Sequence, residues 1–143
     1  MTIRILLALG LVLITALGFA ASVPAQTPQR VVEVTMTSFK FEPSQITINE
    51  GERVVIRLRN ADQAGRPHDI ASRYFVDLPL TVRGDGRQAV EEGRKYVRVD
   101  AGKQAEFEFV AANRGSYAFI CSVFLHSAAG MTGAIFVKPQ GAQ

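Results

Sequence analysis

The chain has 143 residues, with 16 Lys and Arg against 13 Asp and Glu and a formal net charge of +3. The charges are spread without runs, and nothing in them suggests nucleic-acid binding. One cysteine and two histidines are too few for an internal disulfide, for a four-ligand structural zinc site, or for the histidine-rich centres of a copper oxidase or nitrite reductase.

The front of the chain reads as a separate object. Arg4 precedes an apolar run from Ile5 to Ala21, followed by small residues and proline up to Gln26. This is the pattern of a secretory signal over residues 1–25, cleaved after Ala25. The apolar run falls slightly short of the ~20 residues a bilayer span needs, so an uncleaved anchor is the second reading. Export, for instance to the periplasm, is the expectation, with residues 26–143 forming one domain around one core.

Beyond this segment the apolar period is mostly two. Val54, Ile56 and Leu58 alternate with Arg53, Arg57 and Arg59, as in a strand with one buried face. After this strand comes Gly65-Arg-Pro-His68-Asp-Ile70. The next 25 or so residues are too many to be plain loop in a compact domain. Tyr74, Phe75, Leu78, Leu80 and Val82 predict a packed flap, and Gln88–Tyr96 a short helix interrupted at Gly93. Arg83-Gly-Asp-Gly-Arg87 is read as turn chemistry; it lacks the strand-turn-helix setting of a dinucleotide site.

Alternation returns in Ala105, Phe107 and Phe109, and again in Tyr117, Phe119 and Cys121, which points the thiol into the core. Turn residues at Asn49–Gly51, Asp100–Gly102 and Asn113–Gly115 separate these segments at the short spacing of an antiparallel β-sandwich. The expected fold class is all-β.

The chemistry concentrates in Cys121-Ser-Val-Phe-Leu-His126-Ser-Ala-Ala-Gly-Met131. A thiolate, an imidazole and a thioether on one short loop form a donor set that selects a mononuclear copper ion. Among the remaining residues His68 is the one other histidine, which makes the candidate metal ligands His68, Cys121, His126 and Met131. Taken singly, each has an ordinary reading: a buried Cys as a small core residue, a Met as a gap-filler. Their joint spacing, in an exported all-β chain, favours the metal.

This arrangement resembles the cupredoxins, the small blue copper proteins. The resemblance runs from about Val31 to Pro139, opening with Phe39-Lys-Phe-Glu-Pro-Ser-Gln-Ile-Thr-Ile-Asn-Glu-Gly51 and closing with Gly130-Met-Thr-Gly-Ala-Ile-Phe-Val137. The gaps between Cys, His and Met are most similar to those of auracyanin, rusticyanin and sulfocyanin. It implies a Greek-key β-sandwich or barrel holding one copper ion, cycling between Cu(I) and Cu(II). His68, Cys121 and His126 would form a trigonal plane, with Met131 as a weak axial ligand.

The resemblance also implies that Asp69 and Ser122, each following a ligand, tie the two ligand segments together. Asp69 stands where relatives often carry Asn, and the sequence leaves its protonation state open. Val123-Phe-Leu125 stands where several relatives carry Pro-Gly, so Phe124 and Leu125 are expected either to shield the copper or, with Ala128 and Ala129, to rim an exposed edge of His126 as a docking patch. The implied function is one-electron transfer by a monomer between transient redox protein partners that dock near His126, with no enzymatic activity. Contact with a membrane is expected only if the N-terminal segment stays uncleaved. The alternative is a copper-handling protein, a chaperone or store, using the same ligands.

Overall fold

A strand that buries one face alternates in burial residue by residue, and the middle of this chain does so repeatedly. The computed structural model describes residues 29–141; the N-terminal signal or anchor expected over residues 1–25 lies outside them. Within that range the chain runs β1 (Gln29–Thr37), β2 (Lys40–Glu42), β3 (Gln45–Asn49), β4 (Arg53–Asn60), β5 (His68–Ser72), β6 (Thr81–Gly84), β7 (Arg87–Glu91), β8 (Arg94–Val99), β9 (Gln104–Val110), β10 (Gly115–Ile120) and β11 (Thr132–Lys138). One short 3-10 turn, Arg73–Phe75, interrupts the strands.

The strands form two sheets, in the orders β2-β1-β4-β9-β6 and β3-β11-β10-β5-β8-β7. The expected all-β sandwich is what forms, with one difference. The sheets are mixed rather than antiparallel, because β1 runs parallel to β4 and β3 parallel to β11. Both parallel pairs set a strand from the first part of the domain beside a later one, and parallel neighbours need a crossover connection rather than a hairpin.

Between the sheets lie Met36, Ile48, Ile56, Leu58, Ile70, Phe107, Phe119 and Ile135, all with at most 1% of their surface exposed. The segment after β5 is the packed flap expected from its apolar residues. Ser72 caps its 3-10 turn by accepting from the Tyr74 amide at 3.2 Å and donates its own hydroxyl to the Ala118 carbonyl at 2.7 Å. That turn drives Phe75 into the core, where its ring meets Phe107 and Phe109 at 5.4 and 5.7 Å.

Gln88–Tyr96 is not helical: it is the β7–β8 hairpin. Glu92 and Gly93 carry consecutive positive φ angles of 48° and 70°, the backbone of a two-residue hairpin turn. Strand β7 lies at a sheet edge with every residue exposed, so no burial alternation marks it in the sequence. His68 also sits differently from expectation. It opens β5 instead of following directly on β4, and β5 is buried at all five positions between β10 and β8.

Candidate metal centre

Two adjacent strands set the site. In the antiparallel β5–β10 pair Ala71 faces Ile120, so the register carried toward the end of the sheet sets His68 and Asp69 beside the residues that follow β10. Cys121 leaves β10 there. The loop that it opens is closed by its own backbone: the Cys121 amide donates to the Met131 carbonyl, and the Met131 amide to the His126 carbonyl, each at 3.0 Å. His126 is turned inward by its amide bond to the Val123 carbonyl at 3.0 Å, with Leu125 before it at φ 65°.

The ring nitrogen Nδ1 of His68 lies 3.1 Å from Nδ1 of His126, and Cys121 Sγ lies 3.7 Å from the first and 3.4 Å from the second. These three donor atoms form the corners of a small triangle. A metal in its plane, bonded to imidazole at roughly 2.0–2.1 Å and to thiolate at roughly 2.3 Å, needs edges of about 3.5 and 3.8 Å. The observed edges fall a few tenths of an ångström inside that, so the residues present fit a metal with little movement. Met131, at the end of the loop, is fully buried in the same core cluster as Cys121.

Burial controls the protonation of the donors. It pushes the Cys121 thiol up to about 11, with the nearby Asp69 carboxylate adding to the rise, against the amides of Asp69 and Val123 and the Arg98 cation. His126 is lowered, by burial first and then by the neighbouring His68, which keeps its imidazole in the neutral form a metal needs.

The expected link between ligand segments is present and larger than expected. Asp69 accepts from the Ser122 amide at 2.6 Å and from the Ser122 hydroxyl at 2.8 Å. Its Oδ2 also accepts from Arg98 Nε and Nη2, at 2.9 and 2.7 Å. Arg98 is directly opposite Asp69 in the β5–β8 register. A carboxylate that accepts at both oxygens, with a guanidinium on one, is bonded as an anion. The Asp69 amide points at Cys121 Sγ at 3.5 Å.

Residues the sequence reading did not single out complete the surroundings. Asp62, with its side chain fully buried, places Oδ2 2.8 Å from His68 Nε2. Arg66 bonds the same oxygen at 3.0 Å and donates to Ser38 Oγ at 2.6 Å. The signal that was there to read is Asn60-Ala-Asp62, a pairing of residues whose side chains fix turns: Asn60 Oδ1 accepts from the Asp62 amide at 3.0 Å, and Asp62 Oδ1 from the Ala64 amide at 2.7 Å. Phe39, at φ 60°, lays its ring edge-on to His126 at 5.2 Å, with the Arg66 guanidinium 4.7 Å from that ring's centre.

The apolar rim expected around His126 is exposed, but the ring at its centre is not. Phe124 and Leu125 are 83% and 62% exposed, but His126 is only 6% exposed. The edge of that ring expected to lie open is covered, because Phe39 from the β1–β2 turn packs against it.

Comparison with known proteins agrees with this fold. The sequence matches the family described as Cupredoxin-like domain over residues 8–137. Among solved structures, auracyanin B superposes with a TM-score of 0.60 at 18% identity, covering 82% of this chain and 94% of its own. Auracyanin A, a "blue" copper protein from Chloroflexus aurantiacus, gives 0.56 at 17% identity, covering 78% of this chain and 100% of its own. A multicopper oxidase gives 0.58 at 11% identity, covering 76% of this chain and 44% of its own. At such identities the likeness is one of fold. Comparison with curated protein sequences finds no match.

Proposed function

The chain belongs to the cupredoxin-like domain family, and from that premise we propose that it is a type 1 copper protein carrying single electrons between redox partners. One copper ion would be held by His68, Cys121 and His126, with Met131 as a weaker fourth donor. The observation that carries this reading is the convergence of three buried donor atoms, one thiol and two imidazoles, within 4.8 Å of one another. Bound copper supplies a one-electron couple.

The protein's own contribution is rigidity. His68 starts a strand buried between two others, and the Cys121–Met131 loop is closed by its own amides. Donors held this way do not rearrange when the charge changes, which keeps the barrier to electron transfer low. Two histidines and one cysteine in the whole chain leave no ligands for a second copper, so the reading is of a carrier and not an oxidase. Partners of the transient kind would meet the exposed Phe124 and Leu125 beside His126. Export rests on the apolar run Ile5–Ala21.

The test is to add Cu(II) to the purified domain and record visible absorption and electron paramagnetic resonance. An intense sulfur-to-copper band with a small copper hyperfine splitting is expected. Cys121→Ser should abolish the band even where metal still binds, since the hydroxyl cannot supply the thiolate's charge transfer. A colourless protein that exchanges Cu(I) readily would replace the carrier with a copper-handling protein using the same side chains.

A further inference from the structure

The Asp62–His68 contact does more than satisfy a buried polar group. Asp62 is held from three sides: its amide by Asn60 Oδ1, its Oδ1 by the Ala64 amide, and its Oδ2 by Arg66. Asn60 is itself anchored, donating from Nδ2 to the carbonyls of Arg66 and Val99 at 2.8 and 2.9 Å. The loop between β4 and β5 is thus built around one carboxylate whose Oδ2 meets His68 Nε2. A turn-capping aspartate needs only its bond to Ala64, and the surface would serve that purpose equally well.

We infer that Asp62 is a positioning residue for the copper site: it holds His68 with the proton on Nε2, presents Nδ1 as the donor, and strengthens that donor by its buried negative charge. This rests on the copper reading above. An acceptor at 2.8 Å from Nε2 requires an N–H there, and in the neutral ring the other nitrogen is then the lone-pair atom. That other atom, Nδ1, is the one facing Cys121 Sγ and His126 Nδ1. A carboxylate behind a ligating imidazole raises its basicity, and its removal costs ~10–100-fold in metal affinity. Arg66, one-third exposed, neutralises part of the carboxylate's charge and so sets how strongly it acts.

Three variants test this. Asp62→Asn keeps an acceptor and loses the charge, Asp62→Ala loses both, and Arg66→Gln removes the neutralising cation while leaving Asp62 in place. Nitrogen NMR of labelled histidine in the metal-free protein should find His68 with the proton on Nε2 in the wild type and Asp62→Asn, and a mixture of tautomers in Asp62→Ala. Zn(II), which has no redox chemistry, should bind Asp62→Ala ~10–100-fold more weakly than wild type. With copper, the reduction potential should rise in Asp62→Asn and fall in Arg66→Gln. A general loosening of the loop would move both the same way.

Wild-type protein with the His68 proton on Nδ1, or an Asp62→Ala variant with unchanged Zn(II) affinity, overturns the inference. So do potentials that shift in the same direction in the two charge variants. Absence of the sulfur-to-copper band in the wild type would instead overturn the copper reading, while the tautomer and Zn(II) measurements would still decide the role of Asp62.

Discussion

The backbone N–H of Asp69 points at the sulfur of Cys121 from 3.5 Å, while the Asp69 carboxylate holds the amide of the residue after that cysteine at 2.6 Å. One residue therefore grips the cysteine segment through both its backbone and its side chain. The carboxylate can do so because Arg98, across the strand pair, supplies the compensating charge at 2.7 Å. A negative charge this close to the metal would otherwise favour the more highly charged Cu(II).

Removing Arg98 should expose that charge. Arg98→Gln is expected to lower the copper reduction potential, Asp69→Asn to raise it, and the double variant to lie between them, near wild type. Residues in one such network show coupling of about 0.5–3 kcal/mol. Voltammetry on the four proteins measures it, and a double variant shifted as far from wild type as either single variant would mean the two charges do not compensate each other.

The Cys121 thiol, raised to about 11 by burial and the Asp69 carboxylate, must lose its proton to bind metal. Metal binding at neutral pH should release one proton, and the apparent affinity should rise about tenfold per pH unit where the thiol is the only group exchanging a proton. The same shift affects the metal-free fold. A thiol raised above its ordinary 9.0 contributes stability that is fully present below pH 9 and lost as the pH climbs toward about 11. A pH-stat titration with Zn(II) measures the proton; finding none would show that the thiol is already ionised.

Much of this was legible in the sequence, and the gaps have physical causes. Strands β4, β9 and β10 announce themselves because each buries one face and alternates accordingly. Strand β7 does not, since every one of its residues is exposed, and a periodicity argument has nothing to act on. Cys121, His126 and Met131 lie on one loop at regular spacing and could be picked out together. Arg98 and Asp69 are 29 residues apart, and only the β5–β8 register brings them face to face. The covering of His126 was equally out of reach, because it depends on Phe39 adopting a positive φ in a distant turn.

Asp62 ties the fold to pH on the acid side. Burial would raise its carboxyl, but the bonds from His68, Arg66 and the Ala64 amide outweigh burial and hold it well below the usual carboxylate range. A depressed folded value means stability that is present above the unfolded value of 3.8 and lost as the pH falls through the folded one. Denaturant unfolding of the metal-free protein should therefore show a decline below pH 4. That decline should be shallower in Asp62→Ala, which itself should cost about 1–3 kcal/mol at neutral pH by leaving polar partners unpaired. Parallel pH profiles for the two proteins would remove Asp62 from the acid response.

Gly133 offers a test of how tightly the site's supporting strands are packed. It pairs with Phe119 across β10 and β11, and a Cβ there would lie 2.2 Å from the Phe119 ring and 2.4 Å from the Ser44 carbonyl oxygen. The backbone oxygen cannot swing aside as a flexible side chain could. Gly133→Ala should destabilise the fold by about 1–3 kcal/mol through overpacking. Because Phe119 lies two residues before Cys121 on β10, the displaced strand should also alter the copper band; an unaltered spectrum would show that the loop absorbs the strain.

Phe39 is the cover over the one ligand that approaches the surface. Its ring meets His126 edge-on at 5.2 Å and carries Arg66 on its face, so it closes what would otherwise be the shortest path from copper to a partner. Phe39→Ala should open His126 beyond its present 6% exposure. Losing the edge-on ring contact should lower stability by about 0.5–1.5 kcal/mol, in addition to the loss of buried area. Electron self-exchange between oxidised and reduced protein, followed by NMR line broadening, should become faster because two copies can then approach at the imidazole edge. Slower or unchanged exchange would mean that electrons leave by another route, and that Phe124 and Leu125, exposed though they are, do not mark the point of transfer.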